Sequence, residues 1–250
     1  MIDAALLEDV DLLSLDAGNT VIFLDHERLA RLARDAGFPG VTRERLIATE
    51  GEAKRLASDA TQMVDPAWPE RDGPGAAAWG RMVATMLARA NVAESALPSL
   101  ISAIWKSHVD HNLWSLVPEG FADAIARVRS AGVKTVIVSN SEGMLDRLFH
   151  KLGIDACFDA VIDSGRVGHE KPGARIFELA CEAAGTTAAR GLHLGDTFAT
   201  DVLGARNAGM RTALIDPYGH YEGLYADVPR AEGVVAVALA LAARGRVTRR

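Results

Sequence analysis

The chain has little cysteine. Its two thiols, Cys157 and Cys181, sit at no spacing that reads as a metal or redox motif, so a disulfide framework is not expected. Positive charge is in deficit too. Lys and Arg number 27 against 33 Asp and Glu, and the net charge of -6 argues against bulk binding to nucleic acid or to an anionic membrane. No long hydrophobic run is present. The most apolar stretch, Val234 to Ala243, is too short to span a bilayer and reads as an amphipathic or packed helix. Glu8, Asp9 and Asp11 interrupt the N-terminus, so no signal peptide is expected ahead of the first strand. Internal repeats and low-complexity tracts are missing. The rest is ordinary globular composition, 49% hydrophobic and 24% charged over 250 residues, enough for a sizeable core. A soluble, cytoplasmic protein is the expectation.

Apolar periodicity divides the chain. Leu12 to Ala17 reads as a short buried strand ending at Asp16. From there to about Trp114 the pattern is helical. Leu29, Leu32, Ala33 and Ala36 recur at helix spacing, Gly37 stops the run, and Thr42 is placed to cap a second helix. Trp79, Met82, Val83, Met86, Leu87 and Ala90 line a third helix; Leu97, Leu100, Ile101, Ile104, Trp105 and His108 line a fourth. The Pro/Gly-rich loop "VDPAWPERDGPG" separates the second from the third. From Pro118 onward strands alternate with helices: "VKTVIVSN", "AVIDSG", "LHLGD" and "RTALID" are strands, and "TDVLGARNAG" is one of the helices. That alternation implies a parallel sheet covered on both faces. The expected layout is an α/β core domain over 1–22 and 115–250, interrupted by a smaller helical domain over 23–114.

Three of these strands end in polar residues, Asp16, Ser139 and Asp196. In open α/β sheets, ligands bind beyond the carboxyl ends of the strands. Asp201 follows Asp196 by five residues, and Lys171-Pro172 precedes a helix that begins near Ala174. Carboxylates, a hydroxyl and an ammonium at one sheet edge suit phosphoryl chemistry. The carboxylates hold Mg²⁺, which prefers oxygen ligands. The hydroxyl and the ammonium bind phosphate oxygens, and one carboxylate can attack phosphorus to form an aspartyl-phosphate.

In order along the chain, "LSLDAGNT", "VIVSN", "GHEKPGARIFELA" and "HLGDTFATD" resemble the four motifs of haloacid dehalogenase (HAD) superfamily hydrolases with an α-helical cap inserted after the first motif. The resemblance covers nearly the whole chain and implies a Rossmann-like core. It places the nucleophile on Asp16, the phosphate-binding hydroxyl on Ser139 with Asn140 beside it, and the lysine on Lys171. Mg²⁺ is the implied cofactor, held by Asp16, the Gly18 carbonyl, Asp196 and Asp201. A small phosphorylated molecule is the implied substrate. The departure is at Gly18. The family's phosphatases usually carry Asp-x-Asp in the first motif, and the second Asp is the general acid/base. Glycine still supplies a carbonyl, so the change touches proton transfer more than metal binding. General acid/base help is typically worth ~10²–10⁴-fold, and an aryl or acyl phosphate tolerates its absence. Asn19 stands where the family often has glycine, and asparagine accepts left-handed backbone geometry better than most residues.

Two other branches of the family lack the second Asp. Dehalogenases attack carbon without a metal, and their fourth motif resembles Ser-Asn; Gly195-Asp196 and Asp201 here favour a metal site. Phosphonate-cleaving relatives use a cap lysine as a Schiff base. Lys54 falls in the expected cap, but its surroundings match that pattern poorly. A non-catalytic phosphate-binding protein is a further alternative. Structural roles compete at each position. Asp16, Asp196 and Asp201 can cap turns or helices, Ser139 and Asn140 can begin a turn, and Lys171 can be a solvated surface residue. Of the four tryptophans, Trp68, Trp79, Trp105 and Trp114, the second and third fit packed stripes, and Trp68 is the candidate for a substrate-facing wall. Asp25 and His26 are candidate substitute acids, with a helix-start role as the plainer reading. His169 and Glu170 read as solvated, His193 as packed in its strand, and "RGRVTRR" as a basic, frayed terminus.

Overall fold

The computed structural model describes residues 3–57 and 59–245. The chain divides into two compact units, Met1–Phe23 with Leu116–Arg250, and Leu24–Ser115. β1 (Leu12–Leu15) belongs to the first, and all four of its residues are buried. The chain leaves that unit through β2 (Phe23–Leu24) and returns through β3 (Trp114–Leu116); the two strands pair with each other.

The second unit is helical: α1 (His26–Asp35), α2 (Arg43–Leu56), α3 (Ala76–Arg89) and α4 (Leu97–Asp110). Local signals set the starts. Asp25 accepts the Arg28 N–H and Thr42 the Arg45 N–H, each capping its helix, and Pro98 occupies the first turn of α4. Leu29, Ala33, Leu46, Val83, Leu87, Ile101 and Ile104 face one another in a single apolar core. Trp68 joins that core. It is 5% exposed, with its rings 6.0 Å from Trp79 and 5.4 Å from Trp105. Its burial depends on Gly80 of α3, where a Cβ would come within 2.8 Å of the Trp68 indole nitrogen. The substrate-facing wall read for Trp68 is therefore corrected to a packed core ring: the loop around it is polar, but the indole turns inward.

The first unit continues with α5 (Phe121–Ser130), β4 (Lys134–Ser139), α6 (Leu145–Leu152), β5 (Ala160–Asp163), α7 (Ser164–Val167), α8 (Ala174–Ala184) and β6 (Gly191–Gly195). A π turn (Phe198–Val202), α9 (Leu203–Asn207), β7 (Arg211–Ile215), β8 (Arg230–Ala231) and α10 (Val234–Gly245) complete it. The sheet is parallel, in the order β5-β4-β1-β6-β7-β8. β1 pairs Leu12 with Lys134 on one side and with Gly191 on the other. Leu12, Val136 and Val138 pack on Ile176, Phe177 and Ala180 of α8. After β5 the chain crosses back to β6, so the order reverses at β1. In such sheets the crevice beyond that reversal is where ligands bind.

Three short strands, β2, β3 and β8, escaped the periodicity, because two or three residues carry no alternation to read. The helix expected over "TDVLGARNAG" opens instead with the π turn, in which the Leu203 N–H reaches back to the Phe198 carbonyl. The end of the basic terminus, 246–250, lies outside the described residues. Among the described residues no helix is long and apolar enough to cross a membrane.

Candidate active site

Strand order brings the strand-end residues together. Asp16 follows β1, Ser139 ends β4 and Asp196 follows β6, and these strands are immediate neighbours. The Asp16 N–H donates to the Leu194 carbonyl at 2.8 Å, which continues the β1–β6 ladder through the acid itself. The chain then turns tightly. The Ala17 carbonyl accepts the N–H groups of Val21 and Ile22 at 2.9 Å each, and Asn19 takes a φ of +51°, the left-handed geometry its side chain tolerates.

Ser139 Oγ donates to Asp16 Oδ1 at 2.9 Å. Lys171 Nζ lies 2.6 Å from the same oxygen and 2.6 Å from Asp201 Oδ1. The Asn140 amide accepts the Lys171 N–H at 2.8 Å and donates to the Lys171 carbonyl at 2.9 Å. This two-way clamp fixes the backbone from which the lysine reaches inward. Asp201 is placed by the π turn. Its Oδ2 accepts the Thr197 N–H at 2.9 Å, and its side chain lies over Gly195, where a Cβ would come within 2.2 Å of the Asp201 carboxyl carbon. Glycine at 195 is the steric condition for this carboxylate to sit where it does.

One sequence expectation missed a neighbour. His193, read as merely packed, bonds Ser14 Oγ through Nδ1 at 2.8 Å and Asp201 Oδ1 through Nε2 at 3.2 Å. The signal was present: Ser14 and His193 are the polar members of two apolar strands, and they are register partners. The other candidates belong to the helical unit or to solvent. Asp25 caps α1; His26 Nε2 lies 2.9 Å from Glu50 Oε2 and Lys54 Nζ 3.6 Å from Glu50 Oε1, and His26, Glu50 and Lys54 are buried. His169 and Glu170 are exposed.

Oxygens of Asp16, Asp196 and Asp201 all lie within 4.8 Å of one another, and all three residues are buried. Three carboxylates gather around the Lys171 ammonium, so negative charge outnumbers positive among these four residues when all are ionised. Burial of such charge is costly unless it is paired. The consequence is visible at Asp16. Burial pushes its carboxyl up to about 7, against the pull of Lys171 and with Asp201 and Asp196 adding repulsion. Asp201 moves the other way: burial is outweighed by Lys171 and by the His193 bond, which hold it well below the usual carboxylate range. Lys171 is buried, yet Asp16 and Asp201 keep it charged well above the ordinary lysine range. An oxygen cluster of this charge fits a hard divalent cation, Mg²⁺ above all.

The loop after β4 carries a further acid. Asp163, at the end of β5, accepts the N–H groups of Gly143 at 3.1 Å and Leu145 at 3.3 Å and so shapes that loop. In it the half-buried Glu142 has its carboxyl pushed up to about 7, mainly by desolvation and further by the charge of Asp163. A carboxyl raised in the folded state binds its proton more tightly than in the unfolded chain. Its contribution is therefore present at acid pH and lost as pH rises from about 4.5 through about 7. Glu142→Gln is expected to lie above the wild type in melting temperature at pH 8 and to show a flatter profile across that window. Parallel profiles for the two proteins would remove this assignment.

The reversal of strand order, with acids and a lysine at the carboxyl edge, defines a Rossmann-like α/β enzyme. The chain belongs to the haloacid dehalogenase-like hydrolases, whose family model it matches over residues 10–209, and it is a hydrolase. It is 28% identical over 197 residues to haloacid dehalogenase-like hydrolase domain-containing protein 3 of Bos taurus, covering 76% of this chain and 78% of that protein. It is 39% identical over 92 residues to glyceraldehyde 3-phosphate phosphatase of Methanothermobacter thermautotrophicus, 36% of this chain and 40% of that one. Several other curated relatives are likewise matched over less than half of their length. Among solved structures, the putative HAD-hydrolase YfnB from Bacillus subtilis, bound to magnesium, aligns with a TM-score of 0.63 at 18% identity, over 93% of this chain and 98% of that one. At that identity the likeness is one of fold.

Proposed function

We propose that the protein hydrolyses a small-molecule phosphate ester in two steps through an aspartyl-phosphate on Asp16, with Mg²⁺ held by Asp16, the Gly18 carbonyl and Asp196, and with Asp201 beside them. The observation that carries this reading is Lys171 bridging Asp16 and Asp201 at 2.6 Å each, with Ser139 on the same Asp16 oxygen. The phosphatase name of the Methanothermobacter relative supports the substrate class. Bound Mg²⁺ would supply charge compensation for the carboxylates and the phosphoryl oxygens.

The residues divide the work. Ser139 Oγ and Lys171 Nζ turn their donors from Asp16 to phosphoryl oxygens, which frees and orients the carboxylate. Asp16 attacks phosphorus in line, the P–O bond to the leaving group breaks, and water then cleaves the acyl phosphate to return Asp16. Asn140 acts by holding the Lys171 backbone. Assigning the helical unit the role of a cap belongs to the same proposal; its support is the insertion point, a few residues after the Asp16 turn. Cleavage of a carbon–halogen bond is disfavoured by Asp196 and Asp201, which join Asp16 in an oxygen cluster suited to a cation that such chemistry does not need.

Gly18 sets the expected selectivity. With no acid at position 18 to protonate the departing oxygen, the leaving group's own acidity governs the rate. In a Mg²⁺-containing screen, aryl and acyl phosphates are expected to turn over at least about 10²-fold faster than alkyl phosphates. No phosphate release across the panel would overturn the proposed function, and a flat response would replace the unassisted departure with a substitute acid.

A further inference from the structure

A polar chain runs behind the site, through groups that no family motif assigned. Ser14 and His193 face each other across the β1–β6 pair, on the sheet face covered by α8, where the Phe177 ring meets the imidazole edge-on at 5.0 Å. The imidazole is 0% exposed. Its two nitrogens have different partners, Ser14 Oγ at 2.8 Å and Asp201 Oδ1 at 3.2 Å. Asp201 Oδ1 also meets Lys171 Nζ at 2.6 Å, and Lys171 meets Asp16. The direction of the His193–Asp201 bond follows from the chemistry of its ends. A carboxylate paired with an ammonium only accepts, so the proton between His193 and Asp201 belongs to Nε2. Nδ1 meets the Ser14 hydroxyl, a group that can either donate or accept, so this contact holds the ring in place whichever way its proton points.

We infer that His193 is a positioning residue of this enzyme: held by Ser14 through Nδ1, it donates from Nε2 to Asp201 and keeps that carboxylate in the orientation that aims Lys171 at Asp16. Asp201 Oδ2 is engaged by the Thr197 N–H, so its Oδ1 is shared by two donors on opposite errands. His193 restrains the carboxylate from the sheet side, and Lys171 takes its direction from the result. Groups that orient a carboxylate or imidazole in this way typically change activity by about 10- to 100-fold when removed. The kinetic arm of the inference rests on the proposed phosphohydrolase activity; the spectroscopic arm does not.

The test has both arms. Side-chain ¹H–¹⁵N correlation spectra of wild-type protein are expected to show a slowly exchanging proton on His193 Nε2, and Ser14→Ala is expected to speed its exchange. In Mg²⁺-saturated assays on the best substrate of the phosphate-ester panel, His193→Leu is expected to lower kcat by about 10- to 100-fold with KM altered by less than about threefold. His193→Gln, whose amide N–H can donate to Asp201, is expected to recover a good part of that loss. A His193 Nε2 without a proton, or a Gln variant no better than the Leu variant, would overturn the inference. If wild-type protein released no phosphate, the proposed activity would fall while the Nε2 proton measurement would still decide whether His193 donates to Asp201.

Discussion

Asp16→Asn is expected to abolish turnover, lowering phosphate release by at least about 10³-fold, and to stabilise the metal-free protein at the same time. The two effects have one cause. The carboxylate is buried among Asp196, Asp201 and Lys171, and burial raises its proton affinity to about pH 7. An acid raised in the folded state supports the fold while protonated and loses that support as pH climbs from its ordinary 3.8 through about 7. At pH 8 the metal-free wild type therefore carries an ionised Asp16 at a cost that an amide does not incur. Asparagine retains an oxygen able to accept from Ser139 Oγ and Lys171 Nζ, so the packing is kept. The check is a pair of measurements: phosphate release with Mg²⁺, and melting temperature without it at pH 5 and pH 8. The variant is expected to melt above the wild type at pH 8 and close to it at pH 5. Residual turnover within tenfold of wild type would remove Asp16 as nucleophile, and a lower melting point at pH 8 would remove the strained-carboxylate reading.

The parts of the site that are legible in the sequence are the local ones. Asp16, Ser139 and Asp196 were readable because each is the polar stop of an apolar run, and a strand end is a local feature. Lys171 was readable from its loop, immediately before a helix. What joins them is not local. Sequence order does not state that β1 lies between β4 and β6, yet that neighbourhood is what sets Ser139 against Asp16. His193 was discounted for the same reason. A histidine between two leucines looks like core until the register shows Ser14 opposite it and Asp201 folding back over Gly195. Adjacency to Ser139 makes Asn140 a candidate phosphate contact; what adjacency does not reveal is that its amide pairs with the Lys171 backbone, 31 residues on. Trp68 failed in the other direction: loop composition pointed outward, and one glycine on a neighbouring helix let the indole turn in.

Lys171 carries the second large prediction, because its ammonium bridges Asp16 and Asp201 within the cluster of three carboxylates. Lys171→Met fills a similar volume without the charge. Breaking a buried pair by removing one partner typically costs about 3–5 kcal/mol, since the remaining charge is left uncompensated. Here two acids lose their partner together. With the ammonium gone, burial and mutual repulsion raise the proton affinities of Asp16 and Asp201 in the folded state. The variant's stability is then greatest at acid pH and is lost as pH rises. Denaturant unfolding at pH 5.5 and pH 8 is expected to show a deficit that is largest at pH 8 without metal and that shrinks on acidification or on addition of Mg²⁺. Phosphate release is expected to fall by at least about 10³-fold even where the fold is restored, because the charged donor to the transferring group is lost and only the neutral Ser139 hydroxyl stays in place. Lys171→Arg separates the two roles. It keeps the charge, so most of the stability should return. A planar guanidinium does not reproduce one nitrogen set 2.6 Å from both Asp16 and Asp201, so activity should stay low. A Met variant as stable as the wild type at pH 8 without metal would show that the acids are relieved by some other group and would undo the charge balance on which the site is read.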